Sequence, residues 1–481
     1  MDYLPPQTII NPPAIEWRLQ GAQRVDEAVL RPLLGQDAHA SGNAVAKAYK
    51  ARGILAVRVR IDGTDKERTL RITEGTIRAS GHYARYLPAG DVLTQDVLDT
   101  SLARARAEAR ANNEMLVVRI GKVQDDGAAE VVLDGIPGEP ANAKRLAWSA
   151  TSFGPRYSGA DVLTLSGYAA LGNGWTVDAG ISTALSDLRE DSKGGRYLGL
   201  NGSVSKATLY GLFSVRGSYS DFKVGGPNRD LGQTGEVAKV DAEWSYALTP
   251  NFTPYLGLGF THQVSAIGAA GWDDTVKSTA AKAGLRAQKV FTMTHGMGSV
   301  SADLGLEHGL AVSRTTNAPA PLLGDIDKNY RAVSLDASVQ LPVSAGGAVV
   351  SLSGGSQHAS DGTPSGAQFY AGGPSRGVAY HAGVYAAPSG YYAAVQYTTG
   401  KLDDHLGLTS DSTIHDVKAF VGLDGAVVRP SNGGHLTAKS AQVGVRFGLG
   451  KNINAQVGYA APLGGNDQAK GRLTFYLMGS F

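Results

Sequence analysis

From about residue 141 to its end, this 481-residue chain repeats short segments in which apolar and polar residues alternate. In residues 209–219 (LYGLFSVRGSY), one face carries Leu209, Phe213, Val215 and Tyr219, and the other carries Tyr210, Ser214, Arg216 and Ser218. Successive side chains of a β-strand point to opposite faces, so each such segment predicts a strand with one apolar and one polar side. No stretch approaches the roughly 18 unbroken apolar residues that a membrane-spanning helix needs. If the chain crosses a membrane, it does so with strands.

We count sixteen strand candidates between residues 141 and 481, an even number that lets an antiparallel sheet close into a barrel. They begin near Leu146, Ala160, Trp175, Arg196, Leu209, Glu236, Phe252, Lys277, Gly298, Tyr330, Ala348, Gly390, Ile414, Leu436, Ile453 and Arg472. Their polar faces predict a water-filled lumen, because about sixteen strands enclose more space than side chains fill. The last segment, RLTFYLMGSF, alternates and ends on the aromatic Phe481, which is typical of bacterial outer-membrane barrels. The alternative is a soluble β-sandwich.

The residues before about 140 have a different character, with denser charge and with helical and strand patterns that alternate. Residues 1–13 form a Pro-rich segment. Residues 14–75 predict the order strand, helix, helix, strand, turn at Asp62-Gly63, strand. Residues 76–140 predict a similar mixture of elements, with a long helix (LTQDVLDTSLARARAEARAN) and the strands LVVRIG and AEVVLDG. We therefore predict two α+β domains ahead of the barrel, with Leu30, Leu33 and Tyr49 in the core of the first.

Composition narrows the classes of function. The net charge of +2, without a Lys/Arg-rich run, gives no reason to expect nucleic acid. The histidines are scattered, and neither a Ser-His-Asp set, a metal-ligand spacing nor a phosphate-binding G-x-x-x-x-G-K-[ST] loop emerges. We therefore predict no catalytic residues, no metal and no cofactor. An outer-membrane protein is expected to carry a secretory leader, which the residues after Met1 lack, so Met1 is read as an added start on a mature chain.

The longest break between strand candidates spans residues 360–389 and contains the sequence AGGPSRGVAY at 371–380. Loops of this length are usually functional or disordered. The aromatic residues in it argue against a solvated, disordered loop, so we expect it to fold into the lumen. Its motif residues are Gly372, Gly373, Pro374, Arg376 and Gly377.

A strand in the last third of the chain supplies the expected partner of this loop. In VKAFVGLDGAVV, the period of two puts Val417, Ala419, Val421 and Leu423 on one face and Lys418, Phe420, Gly422 and Asp424 on the other. If the second face lines the lumen, Asp424 meets the loop there. We predict a charge-assisted pair between Arg376 and Asp424, with Phe420 and Gly422 beside it on the barrel wall.

Together these features resemble the two-partner-secretion transporters, the haemolysin-activator and haemagglutinin-secretion class of the superfamily with POTRA domains and a barrel. The front-end domains look like POTRA domains, polypeptide-transport-associated modules. The family's loop motif is GGP, a short spacer, Val-Arg-Gly and an aromatic, whose arginine pairs with a strand aspartate; Arg376 and Asp424 match these positions. Ser375 and Val378 depart from the pattern, and Gly425 follows Asp424 directly. The literal Val-Arg-Gly at residues 215–217 lies within an alternating strand and is rejected.

The resemblance implies an outer-membrane transporter with its POTRA domains in the periplasm. These domains would capture a secreted partner, such as an adhesin or haemolysin, which crosses the barrel unfolded and is driven by folding outside. An assembly or insertion factor for outer-membrane barrels is the competing class, and a passive porin is a third. The plug helix typical of these transporters is not recognisable ahead of Trp17. The outer face of the barrel would contact outer-membrane lipid, and no enzyme activity is expected.

Overall fold

The computed structural model describes residues 15–64, 66–319, 326–409, 412–465 and 470–481. The predicted Pro-rich segment 1–13 lies outside these ranges. The chain forms two compact units, of which the first comprises Met1–Ala109 with Glu114–Pro137 and the second Arg110–Asn113 with Gly138–Phe481. None of the described helices combines the length and the hydropathy needed to cross a membrane.

The first unit begins with an α+β domain in the order that the sequence predicts. Its elements are β1 (Glu16–Gln20), α1 (Glu27–Leu30), a 3-10 turn (Arg31–Leu33), α2 (Ala38–Ala51), β2 (Val57–Gly63) and β3 (Glu67–Glu74). In the sheet, β3 lies between a parallel β1 and an antiparallel β2. Asp37 caps α2 by accepting hydrogen bonds from the backbone N–H groups of His39 and Ala40. The predicted core residues Leu30 and Tyr49 are fully buried, and Leu33 packs against them.

A second α+β domain in this unit repeats the mixed sheet. Its elements are β4 (Thr76–Ser80), a 3-10 turn (Ala84–Tyr86), α3 (Gln95–Ala111), β5 (Glu114–Val123) and β6 (Ala128–Pro137). The central strand β6 pairs in parallel with β4 and antiparallel with β5. The carboxylate of Glu108, on α3, is buried and accepts hydrogen bonds from Tyr86 and Arg85. In each domain, one edge strand of the sheet pairs antiparallel with the central strand. This edge strand is β2 in the first domain and β5 in the second.

The second unit is a closed antiparallel barrel of sixteen strands within the described ranges, as the sequence predicts. It is preceded by the short helix α4 (Pro140–Ala143), and another short helix, α5 (Arg156–Gly159), follows its first strand. Its strands are β7 (Lys144–Thr151), β8 (Val162–Gly172), β9 (Trp175–Ala184), β10 (Arg196–Thr208), β11 (Gly211–Lys223), β12 (Gln233–Ser245), β13 (Phe252–Ile267), β14 (Trp272–Met293), β15 (Gly296–Thr316), β16 (Arg331–Pro342), β17 (Val349–Ala359), β20 (Ser389–Thr398), β21 (Ile414–Arg429), β22 (Leu436–Leu449), β23 (Ile453–Gly465) and β24 (Arg472–Ser480). Two short strands, β18 (Phe369–Ala371) and β19 (Tyr385–Ala387), lie in the loop between β17 and β20 and outside the barrel sheet.

The barrel closes where β24 pairs antiparallel with β7, from Tyr476↔Thr151 to Ser480↔Ala147. Because the strand number is even, Lys144 and Ser480 lie at the same end of the barrel, and the loops after β7, β9 and β17 lie at the other end. We call this other end the distal end. Along each strand, large apolar residues such as Phe213 and Val215 are exposed on the outer face, as contact with lipid requires.

Candidate functional site

The loop between β17 and β20 packs against the inner face of the barrel wall. It contains a 3-10 turn (Ser365–Ala367) and the small antiparallel hairpin of β18 and β19. Phe369 and Tyr380 are buried in an apolar cluster with the small wall residues Ala426, Ala438 and Ala460. Small side chains on three neighbouring strands give the loop room to lie flat on the wall. We call residues 360–388 the inward loop.

The tip of the inward loop is a tight double turn that depends on glycine. The Gly372 N–H donates to the carbonyl of Arg376 (2.8 Å), and the Gly373 N–H donates to the carbonyl of Tyr380 (3.0 Å). Gly377 has a φ of +104°, and a Cβ on it would lie 2.8 Å from the Cβ of Ala438. Gly377 is therefore needed both for the backbone conformation and for the close approach to the wall. Pro374 lies at the exposed end of the turn.

Asp424 on β21 anchors this tip through the backbone of the loop. Its carboxylate is buried, with the residue 6% exposed, and one oxygen accepts hydrogen bonds from the N–H groups of Gly377 (2.7 Å) and Val378 (2.8 Å). The other oxygen accepts from the hydroxyl of Ser440, which pairs with Asp424 across β21 and β22. Two successive N–H groups aimed at one carboxylate oxygen form a backbone anion site, and charge-assisted bonds of this kind are stronger than neutral ones.

The predicted ion pair between Arg376 and Asp424 is wrong. The two loop amides and the hydroxyl of Ser440 already satisfy the carboxylate of Asp424, and this is the physical reason for the error. The guanidinium of Arg376 makes its contacts elsewhere.

Arg376 holds the loop through aromatic rings and a different carboxylate. Its guanidinium lies over the rings of Phe369 (4.7 Å) and Tyr392 (4.6 Å), and its Nη1 donates to the Tyr370 carbonyl. Its Nη2 is 3.8 Å from a carboxylate oxygen of Asp336 on β16. The arginine and the aspartate of the predicted pair therefore hold the same loop through separate contacts.

Phe420 and Gly422 lie on the luminal face of β21, where the alternation places them. Phe420 is buried and packs over Gly444, while the Arg446 guanidinium lies 5.2 Å from its ring. A Cβ on Gly422 would lie 3.0 Å from the carbonyl oxygen of Val395 on β20. Phe420 and Gly422 thus contact neighbouring strands, and Asp424 is the residue of this face that holds the loop tip.

The base of the inward loop reaches the far side of the lumen. The Ser365 hydroxyl donates to Gln263 on β13 (2.8 Å), and Lys239 on β12 donates to the Gly366 carbonyl (3.5 Å). The tip, in contrast, is bound to β21 and β22. In the ring of sixteen strands, β13 and β22 are seven places apart, which is close to opposite. The inward loop therefore spans the lumen from wall to wall.

Ion pairs line the lumen on the side of β12 to β15. Arg286 makes a bidentate pair with Glu243 (2.7 Å for each bond) and also contacts Asp303 (3.3 Å). Lys282 pairs with Asp241 on the same inner face. Charged side chains on the inside and apolar ones on the outside are the pattern of a barrel with a water-filled interior. Within the described residues, no cluster of three or more His, Asp or Glu side chains suits a metal ion.

Ser440 and Asp336 were not selected from the sequence, although each has a signal there. Ser440 lies on the luminal face of β22, and a hairpin register for β21 and β22 places it opposite Asp424. Asp336 falls on the polar face of RAVSLDASVQLP, opposite to Val333 and Leu335. Alternation alone finds both residues on the lumen side, but their contact with the loop depends on the path of the loop.

Comparisons with known proteins identify the fold. No protein-family profile and no curated protein matches this chain. The solved structure of CdiB from Escherichia coli superposes with a TM-score of 0.71 at 16% identity, over 99% of this chain and 93% of that one. CdiB from Acinetobacter baumannii gives 0.63 at 12%, over 98% and 91%. BamA from Haemophilus ducreyi lacking POTRA domains 1-3 gives 0.52 at 13%, over 98% and 100%.

These likenesses define the class of fold. The described residues form a closed antiparallel β-barrel of sixteen strands, preceded along the chain by two small α+β domains. Within that class, it has the architecture of CdiB, and it shares the BamA barrel plan less completely.

Proposed function

We propose that this protein is an outer-membrane transporter that captures a secreted partner protein and exports it unfolded through the barrel. Its front-end domains act as POTRA domains in the periplasm. The observation that carries the proposal is the inward loop, which spans the lumen and is bound to Asp424 mainly through hydrogen bonds that can break one by one. A loop held in this way blocks the lumen at rest and opens it without unfolding the barrel wall.

The lumen offers a path suited to an extended polypeptide. Its ion pairs, such as Arg286 with Glu243, present both charge signs to a passing chain. A surface of alternating charge hydrates a polypeptide of any sequence and provides no apolar patch to which it would adhere. This supports export of an unfolded partner rather than selective passage of one small solute.

The front end supports capture by strand addition. The edge strands β2 and β5 each leave one side without a strand partner in their sheets. An extended peptide binds such an edge through main-chain hydrogen bonds, and the side chains at alternate positions give specificity. In this proposal, the partner supplies the energy for export as it folds outside.

A second candidate is an assembly factor for outer-membrane barrels, which the likeness to BamA favours. The two functions differ in what the front end binds. A fragment comprising residues 15–137 is immobilised and offered two ligands: the N-terminal domain of a candidate secreted partner, and an unfolded outer-membrane barrel. Capture of the first alone supports export, whereas capture of the second alone supports assembly.

Conductance in planar bilayers tests the role of the inward loop. We expect the purified parent protein to show a low basal conductance, because the loop spans the lumen. Asp424→Ala removes the anchor and raises the conductance. Asp178→Ala is the matched control, because Asp178 is a luminal aspartate of β9 bonded to Ser203 rather than to the loop. Equal conductance of Asp424→Ala and the parent would contradict a gating role.

A further inference from the structure

The distal end of the lumen contains a cavity of about 690 Å³ between the tip of the inward loop and the barrel wall. Its charged lining consists of Arg156, Arg189, Lys470 and Arg472 against a single carboxylate, Asp191. Four cations thus face one anion. The cavity is distinct from the Asp424 anchor and plays no part in the proposed export mechanism.

Two of the four cations already have partners. Arg189 makes a bidentate pair with Asp161, which is buried and is not among the lining residues, with bonds of 2.7 and 2.8 Å. Arg156 pairs with Asp191 through a contact of 3.0 Å. Among the described residues, neither Arg472 nor Lys470 has a carboxylate within ion-pair distance. The cavity therefore carries two positive charges that the described part of the chain does not neutralise.

Arg472 is the more informative of these two cations, because it is buried. The residue is only 8% exposed, and its Nη2 donates to the carbonyl of Ser152. Its Nε and Nη1 are also buried, and neither has a hydrogen-bond partner among the described residues. A buried guanidinium with unused donors is costly unless an anion accepts from it. Arginine is also the side chain best suited to bind phosphate.

The tip of the inward loop adds a third unused polar atom from another element. The Nδ1 of His381 is buried and has no hydrogen-bond partner within the described ranges, and His381 lines the same cavity. Two guanidinium nitrogens and an imidazole nitrogen suit a group with several oxygens better than a planar carboxylate. A phosphate monoester has three such oxygens. The aromatic residues Tyr157, Phe222 and Tyr380 also line the cavity.

We propose that this cavity binds a phosphate monoester group, held by Arg472 on β24 and His381 on the inward loop, with Lys470 at its rim. The group belongs either to a soluble sugar phosphate or to a phosphorylated lipid headgroup, which share this chemistry. Arg472 also bonds to Ser152, the residue after β7, so the bound phosphate stabilises the closure of the barrel between β24 and β7.

The test measures binding to the full chain, in detergent and phosphate-free buffer, by isothermal titration calorimetry. The probes are inorganic phosphate and glucose 6-phosphate. We expect saturable binding to the parent, and a loss of affinity of about tenfold or more in Arg472→Gln, since one charge-assisted hydrogen bond contributes about that much. Arg446→Gln is the matched control, because Arg446 is a luminal arginine on β22 outside the cavity.

His381→Asn keeps the proposal testable if Arg472→Gln does not fold, because His381 lies on the loop and forms no part of the β7–β24 pairing. We expect this variant to weaken binding while Arg446→Gln does not. A second arm compares the melting temperature of the protein in phosphatidylcholine vesicles with and without phosphatidic acid. A rise with phosphatidic acid identifies a lipid source, and binding of glucose 6-phosphate alone identifies a soluble one. Absence of saturable binding in both arms, or undiminished binding by the Arg472 and His381 variants, would overturn the proposal.

Discussion

Removal of the Asp424 carboxylate tests how firmly the inward loop is held. In Asp424→Ala, the N–H groups of Gly377 and Val378 and the hydroxyl of Ser440 lose their common acceptor in a buried place. Hydrogen bonds to a charged group contribute about 1.5–3 kcal/mol each, so the two backbone bonds alone hold the tip by about 3 kcal/mol or more. That change raises the population of the undocked loop about a hundredfold, at about 1.4 kcal/mol for each factor of ten.

A single introduced cysteine reports on this equilibrium, because the chain has none of its own. Ala379 is 2% exposed at the loop tip, so in Ala379→Cys the thiol reacts with a maleimide only when the loop leaves the wall. We expect labelling of the double variant with Asp424→Ala to be about a hundredfold faster than labelling of Ala379→Cys alone. Asp424→Asn keeps one acceptor oxygen, so in the Ala379→Cys background its labelling rate falls between these two rates.

The matched control is Asp178→Ala in the same Ala379→Cys background, which removes a luminal carboxylate that bonds Ser203 instead of the loop. It leaves the labelling rate unchanged. Labelling of Asp424→Ala at the rate of this control would show that the carboxylate contributes nothing to docking.

Three further predictions concern the same loop and the first unit. In the Ala379→Cys background, Arg376→Ala removes the cation–π contact between the loop and Tyr392 on the wall, of about 0.5–1 kcal/mol, and speeds labelling of the introduced thiol by about threefold, which is less than Asp424→Ala does. An effect larger than that of Asp424→Ala would contradict the observed contacts. Gly377→Ala forces a Cβ to 2.8 Å from that of Ala438 at positive φ and speeds the same labelling by about tenfold or more; an unchanged rate would show that the tip shifts without cost. Glu108→Ala leaves Tyr86 without its buried acceptor, and hydrogen exchange of α3 in the intact protein should report a local loss of about 2–3 kcal/mol; exchange equal to that of Asp178→Ala would contradict it.

Much of the barrel was predictable because one physical rule, the alternation of lipid-facing and lumen-facing residues, applies to every strand. The strands that begin at Trp175, Arg196 and Phe252 were located to the residue. Departures occur where a strand continues beyond the alternating part. β14 begins at Trp272 instead of near Lys277, since backbone pairing with β13 extends into the loop, where Asp273 and Asp274 break the apolar pattern.

The site was predictable in its location and not in its bonds. The period of two puts Asp424 on the luminal face, and the buried carboxylate is found there. The sequence also shows an arginine in the loop, and opposite charges suggest a pair. A prediction from side-chain charges does not consider backbone N–H groups, although every residue except proline has one that can donate. Asp424 therefore has the N–H groups of Gly377 and Val378 as partners, and Arg376 turns to aromatic rings.

Export of a candidate secreted partner by living cells is the direct test of whether the Asp424 anchor controls transport. The protein and a candidate secreted partner are produced together, and the candidate in the medium is measured for the parent, Asp424→Ala and Asp178→Ala at equal amounts in the membrane. We predict that Asp178→Ala exports as the parent does and that Asp424→Ala exports more in the same time, because the inward loop no longer blocks the lumen at rest. Equal export by all three proteins would contradict this prediction.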